Sequence, residues 1–347
     1  MSTYAGFQPP EASVSGQKLP VSGLPFPAGT LDTMDATLAE STAHAFRTLG
    51  GLRFSKGHGT GNDFVLVADP EGEHTIAAEQ VAALCDRHRG IGGDGLIRAV
   101  PSRFLPEGRE LLAAIPDAEW FMDYRNGDGS LSEMCGNGVR VFVHFLRTEG
   151  LVDLPDGGAL TIGTRAGAKT VVRTGEDYAV DMGPWEFIFP GEATAKAMDS
   201  LVTADGLEVP RPALSVSMGN PHTVVALAEL SELAGTRLYT PPAVDPVPAN
   251  GTNVEFVVPS EPLVHNGVGS VTMRVHERGV GETQSCGTGA CAAAVAIRHW
   301  AGAEAPDTWR VHVPGGVVGV KFFAGPGGHE HVELSGPAVI VATGTLS

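Results

Sequence analysis

Two cysteines in this chain stand in the same short frame. Cys135-Gly136-Asn137-Gly138 and Cys286-Gly287-Thr288-Gly289 each open an apolar stretch, VRVFVHFLRTEG and ACAAAVAIRHW. In the first, Val139, Phe142, Val143 and Leu146 recur at helical spacing. A thiol at a helix start faces the positive end of the macrodipole and unpaired backbone N–H groups, which is expected to draw its pKa from roughly 8.5 toward neutrality. The flanking glycines let a ligand approach the backbone, and the same N–H groups suit a carboxylate or phosphate. Two such thiols facing each other across one small anion can invert a stereocentre beside a carboxylate. One thiolate takes the α-proton, the opposite thiol returns another, and the N–H groups stabilise the charge that develops. That chemistry requires no metal and no organic cofactor.

Other uses of cysteine fit less well. Cys85 and Cys291 lie inside apolar helical patterns and read as small core residues. No C-x2-C pair is present, and no matching histidine pair follows Cys286 and Cys291, which disfavours zinc. Only five lysines occur, none in a recognisable pyridoxal-phosphate setting. A redox disulfide between Cys135 and Cys286 is an alternative compatible with the same placement.

The elements that would position these thiols form an internal repeat. Gly61-Asn62 precedes DFVLV and Gly219-Asn220 precedes PHTVV; these asparagines are 158 residues apart and the two cysteines 151. Asn126 and Glu277 each lie nine residues before their cysteine. Three matched pairs in the same order imply two related α/β halves. LRFSKGHGTGNDFVLVAD predicts a hairpin, and TIAAEQVAALCDRHRG a helix ended by Gly90. ALSVSMGN, HTVVAL, NVEFVV and SVTMRVHE predict strands of the second half. PAVIVATG predicts a last strand able to return to the first half. The expected division is an N-terminal extension over residues 1–50, a first domain over 51–183 joined by 337–347, and a second over 184–336. Five prolines in the first thirty residues suggest a partly disordered extension, with a short helix over Asp32–Leu49.

Composition narrows the classes. The 347 residues carry 23 Lys+Arg against 40 Asp+Glu, a net charge of −17, which argues against nucleic-acid binding. No apolar run is long enough for a membrane helix, and the N-terminus lacks a secretory pattern; a cytoplasmic setting with reduced thiols is expected. Hydrophobic residues make up 42%, enough for a sizeable core.

The chain resembles diaminopimelate epimerases. The matching stretches are FSKGHGTGNDFVLV (54–67), DRHRGIGGDGLI (86–97), NGDGSLSEMCGNGVR (126–140), SMGNPH (217–222), GTNVEFV (251–257) and MRVHERGVGETQSCGTGACA (273–292), the last being highly specific. The resemblance implies an α/β (α+β) fold: two pseudo-symmetric domains, each a mixed, mostly antiparallel sheet around a central helix, with the site in the cleft between them. It implies cofactor-independent conversion of LL- to meso-2,6-diaminopimelate for lysine and peptidoglycan synthesis, by a homodimer. Cys135 and Cys286 would be the acid/base pair. Gly136, Asn137, Gly287 and Thr288 would present N–H groups to the reacting carboxylate, and Asn62, Asn126, Asn220 and Asn253 would bind substrate. Glu277 and Arg278 would read the distal amino-acid head, an ammonium and a carboxylate respectively; His222 and Glu277 would tune the thiols. Gly95, where many members carry Gln, and Met134 depart from the family pattern. The alternatives are another two-thiol racemase of the superfamily, of proline or hydroxyproline type, and a non-catalytic amino-acid-binding protein.

Overall fold

The computed structural model describes Phe46 and residues 48–347. The extension and most of its expected helix, Asp32–Leu49, lie outside the described residues.

The chain runs twice through the same sequence of strand pairings. In the first pass Arg53–Gly59 pairs antiparallel with Asn62–Ala68, which lies parallel to Gly95–Pro101; that strand is antiparallel to Trp120–Asn126, which is parallel to Ala159–Thr164. Antiparallel strands Gly167–Thr174 and Asp177–Pro184 complete it. In the second pass Arg211–Ser217, Pro221–Ala226, Asn253–His265, Val268–Glu277, Thr308–Val313, Gly316–Ala324 and Glu330–Pro337 repeat the same order of antiparallel and parallel neighbours. A parallel pair needs a crossover. In each pass the crossover after the fourth strand carries the long helix: Gly136–Thr148 between Trp120–Asn126 and Ala159–Thr164, and Gly287–Ala301 between Val268–Glu277 and Thr308–Val313. The mixed α+β fold with two repeated lobes follows directly.

The lobes join where Asp177–Pro184 pairs antiparallel with Glu330–Pro337, Leu334 standing opposite Val180. The last strand, Val339–Thr345, pairs with Arg53–Gly59.

Each sheet wraps its helix, so the helices are buried almost all round. In Gly136–Thr148 not only Val139, Phe142, Val143 and Leu146 but also Val141 and Phe145 are buried, and so is Arg140. In Gly287–Ala301 the run Ala290–Ile297 is buried throughout. Its small side chains let surrounding strands approach a fully enclosed helix closely.

Two local details separate expectation from outcome. The first hairpin turns at Thr60 and Gly61, both at positive φ (50° and 83°), the pattern of a tight two-residue hairpin. The helix expected to reach Gly90 instead spans Ala78–Cys85. It stops because Asp86 accepts hydrogen bonds on Oδ1 from the amides of His88 and Arg89, a local turn that competes with helical bonding.

Candidate active site

Cys135 and Cys286 are the N-cap residues of the two long helices. These helix starts lie against each other. A β-carbon placed on Gly287 would stand 3.6 Å from the Asn137 amide nitrogen and 3.5 Å from Asn137 Oδ1. The Cδ2 methyl of Leu334, from the strand that joins the lobes, would be 2.8 Å from a β-carbon on Gly136 and 2.8 Å from one on Gly287. A side chain at either place would have to displace this one methyl group.

On the first side, the Cys135 thiol donates to Asn62 Oδ1 at 3.3 Å. Asn62 is itself fixed from behind, its Nδ2 donating to Asp94 Oδ2 at 2.6 Å. Arg87 bridges Asp94 and Asp63 at 2.7 Å each, and Asp63 also receives Lys56. The two cations hold the Asp63 carboxyl well below the usual range, against an opposing effect of burial. Thus the loop that carries Asp94 sets the Asn62 amide. Asn137, buried, donates from Nδ2 to the Ser285 carbonyl at 3.0 Å, tying the first helix start to the residue preceding Cys286. Ser285 Oγ meets Thr60 Oγ1 at 2.8 Å, and Arg140 Nη2 donates to the same Thr60 oxygen at 3.4 Å.

On the second side, Cys286 Sγ accepts from the Gly289 amide at 3.4 Å and lies 3.5 Å from Thr288 Oγ1. Asn220 Nδ2 reaches that hydroxyl at 3.5 Å, and Asn220 Oδ1 lies 3.1 Å from His222 Nε2. The other ring nitrogen of His222 is 2.7 Å from Glu255 Oε1, with both side chains wholly buried. Asn253 Oδ1 accepts the Arg278 amide at 2.9 Å, and its Nδ2 donates to the Pro221 carbonyl at 3.2 Å. The Arg278 guanidinium, at the exposed turn after the strand, donates to the Asn250 carbonyl. Glu277 accepts from Thr283 Oγ1. Asn126 and Glu277 close equivalent strands, Trp120–Asn126 and Val268–Glu277. Asn126 bonds locally, to Ser130 Oγ at 3.0 Å. At Gly95 no side chain fits: a β-carbon would stand 2.4 Å from the Arg125 carbonyl.

The electrostatics reverse one expectation. Burial pushes the Cys135 thiol up to about 11, outweighing the Gly138 and Asn137 amides that lower it; the Glu277 carboxylate raises it further. Burial likewise carries Cys286 well above the ordinary thiol value, with Glu277 and Glu255 adding to it against the Thr288 hydroxyl and Gly289 amide. The helix-terminus effect acts in the expected direction, but desolvation of a thiolate in an apolar setting is larger. Burial also raises the Glu277 carboxyl.

Glu255 and Ser285 were not among the residues singled out from sequence. For Glu255 a signal existed: strand alternation places residue 255 on the same face as Asn253. Its place is tightly drawn. A β-carbon on Gly289 would come within 2.6 Å of Glu255 Oε1. Gly289→Ala, which in an open helix would gain about 1 kcal/mol, is therefore expected to cost about 1–3 kcal/mol through overpacking against a buried carboxylate. A thermal melt checks the sign.

The comparisons with known proteins agree with this geometry. The family model for diaminopimelate epimerase matches residues 54–188 and 214–341, one segment for each lobe. The chain belongs to the diaminopimelate epimerase family. A diaminopimelate epimerase from Streptomyces coelicolor is 48% identical over 301 residues, covering 84% of this chain and 94% of its own. One from Rhodococcus jostii is 42% identical over 307 residues, covering 85% and 97%. Among solved structures, a PhzF-family phenazine biosynthesis protein from Bacillus anthracis shares the fold, with a TM-score of 0.58 at 17% identity over 85% of this chain and 99% of that one. Among the described residues of this family member, no helix is long and apolar enough to cross a membrane.

Proposed function

We propose that this chain interconverts LL- and meso-2,6-diaminopimelate without an added cofactor, Cys135 and Cys286 serving as base and acid with roles exchanged between directions. The observation that carries the reading is the meeting of the two helix starts around Leu334, each capped by a thiol. The pair of electrons left when one thiolate takes the α-proton delocalises into the α-carboxylate. Backbone N–H groups of Gly136, Asn137, Gly287 and Thr288 receive that charge. The opposite thiol then protonates the other face, so the substrate gains and loses one proton and the enzyme ends with its thiols exchanged. Asn62, Asn126, Asn220 and Asn253 bind the substrate's polar groups, while Glu277 takes the distal ammonium and Arg278 the distal carboxylate. Glu277 and His222 also bear on the thiols: Glu277 as a nearby negative charge, His222 through Asn220. The polar set for a second head, Asn126, Asn220, Asn253, Glu277 and Arg278, distinguishes the reading from a proline-type racemase, whose substrate has no such head. The product serves lysine and peptidoglycan synthesis, the setting is cytoplasmic, and the working form is a homodimer, which light scattering of the purified protein tests. The first domain is taken as 51–183 with the returning strand, and the second as 184–336.

The deciding experiment gives the purified chain LL-diaminopimelate, meso-diaminopimelate or proline in deuterated buffer with no cofactor added. Interconversion of the first two with deuterium entering at the α-carbon is expected; turnover of proline alone would replace this reading with the racemase.

The thiol environment adds a pH dependence. A base must be a thiolate, and burial raises its pKa, so the competent fraction is small near neutrality and grows as pH rises. The free-enzyme kcat/KM is expected to climb by up to about tenfold per unit above about pH 7, and to fall only once the second thiol also ionises. Burial pushes Cys135 up to about 11 and Cys286 well above the ordinary thiol value, so the falling limb is expected to be strongly alkaline. A profile that falls between about pH 7 and 9 would contradict the assignment of both thiols.

A further inference from the structure

Behind the second helix start a chain of contacts runs from buried Glu255, which the proposed mechanism does not use, through His222 and Asn220 to Thr288. Glu255 and His222 are wholly shielded from solvent and meet at 2.7 Å. The second carboxylate oxygen, Oε2, has no partner. A buried carboxylate left half-satisfied is costly, and is retained where it fixes something else. What it fixes can be read outward. Asn220 Oδ1 faces His222 Nε2 at 3.1 Å, the arrangement in which an amide oxygen accepts from a ring N–H. With its oxygen so engaged, the Asn220 amide turns Nδ2 toward Thr288 Oγ1, beside Cys286. Nδ1 of the same ring is held by Glu255 Oε1. Rotating the ring by half a turn would break both contacts.

We propose that Glu255 is a positioning residue for the substrate contact made by Asn220: it locks the His222 ring, which in turn locks the Asn220 amide with its N–H groups toward the cleft. Sequence spacing and packing support the assignment independently. Asn253 and Glu255 share one face of the strand, and Glu255 Oε1 lies where a β-carbon on Gly289 would come within 2.6 Å of it. The proposal rests on the reading that Asn220 binds substrate.

The test is a double-mutant cycle of Glu255→Ala and Asn220→Ala, read as KM and kcat with LL-diaminopimelate. Losing the contact that holds a donor in place is expected to raise KM about tenfold in Glu255→Ala. Asn220→Ala is expected to show a similar rise, and the double variant to be no worse than Asn220→Ala alone within about twofold. Glu255→Gln, which keeps a hydrogen bond to His222, should restore KM to within about threefold of the unaltered enzyme. Multiplying effects, or an unchanged KM in a folded Glu255→Ala, overturn the proposal. If Glu255→Ala does not fold, Glu255→Asp decides. Its carboxylate is retracted by one methylene, so a several-fold rise in KM is expected and an unaltered KM refutes. An unaltered enzyme that turns over neither diaminopimelate isomer defeats the functional reading and this assignment together; an active enzyme indifferent to Glu255 defeats the assignment alone.

Discussion

Cys135→Ala or Cys286→Ala is expected to lower kcat/KM for epimerisation by about a thousandfold or more, near the upper end of what one general acid or base contributes. The large figure follows from the surroundings. The thiols flank a pair of buried helix starts, and the asparagines and backbone amides beside them cannot accept a carbon-bound proton. The fold should survive. The Cys135 side chain makes no capping bond, and that of Cys286 makes long contacts, 3.4 Å from the Gly289 amide and 3.5 Å from Thr288 Oγ1. The two variants should also differ in kind from a general loss of activity. With one thiol left, any residual proton exchange returns the proton to the face it left, so solvent deuterium enters one isomer without inversion. Each variant should show this with the opposite isomer. Full inversion by either folded variant would end the two-base reading.

Arg278→Met is expected to lower kcat/KM by about a hundredfold, chiefly through KM, since under the proposed function it would remove a bidentate, charge-assisted contact to the distal carboxylate. The folded state loses little, because the guanidinium is exposed and its bond is to the Asn250 carbonyl at the surface. Lys in its place should recover only part of the loss, because an ammonium keeps the charge but not the fork. Initial rates over a range of substrate concentration separate the two parameters. A KM unmoved by Arg278→Met would show that the distal head is read elsewhere.

Much of this site is legible in the sequence because duplication wrote it twice. Cys135 and Cys286, Asn62 and Asn220, Asn126 and Glu277 could be matched from spacing alone, and they occupy corresponding places in the two strand successions. The seam between the lobes was not legible. Glu330–Pro337 pairs with Asp177–Pro184 across some 150 residues, and the register of such a ladder depends on contacts that no local window holds. The direction of the thiol shifts was missed for a related reason. A helix start is a local property and argues for a lowered pKa, whereas burial belongs to the assembled fold and prevails. Glu255 escaped notice because an acidic residue in NVEFV reads as an exposed strand position; its complete burial depends on the His222 strand lying parallel beside it. Gly90 failed as a helix stop because Asp86 ended the helix first.

The methyl of Leu334 has one last consequence. Leu334 belongs to the second pass of strands yet stands opposite Val180 of the first, and its one methyl lies under both helix starts. Trimming that methyl would take a packing contact from both helix starts at once. A change at this one side chain therefore reaches both halves of the duplication together.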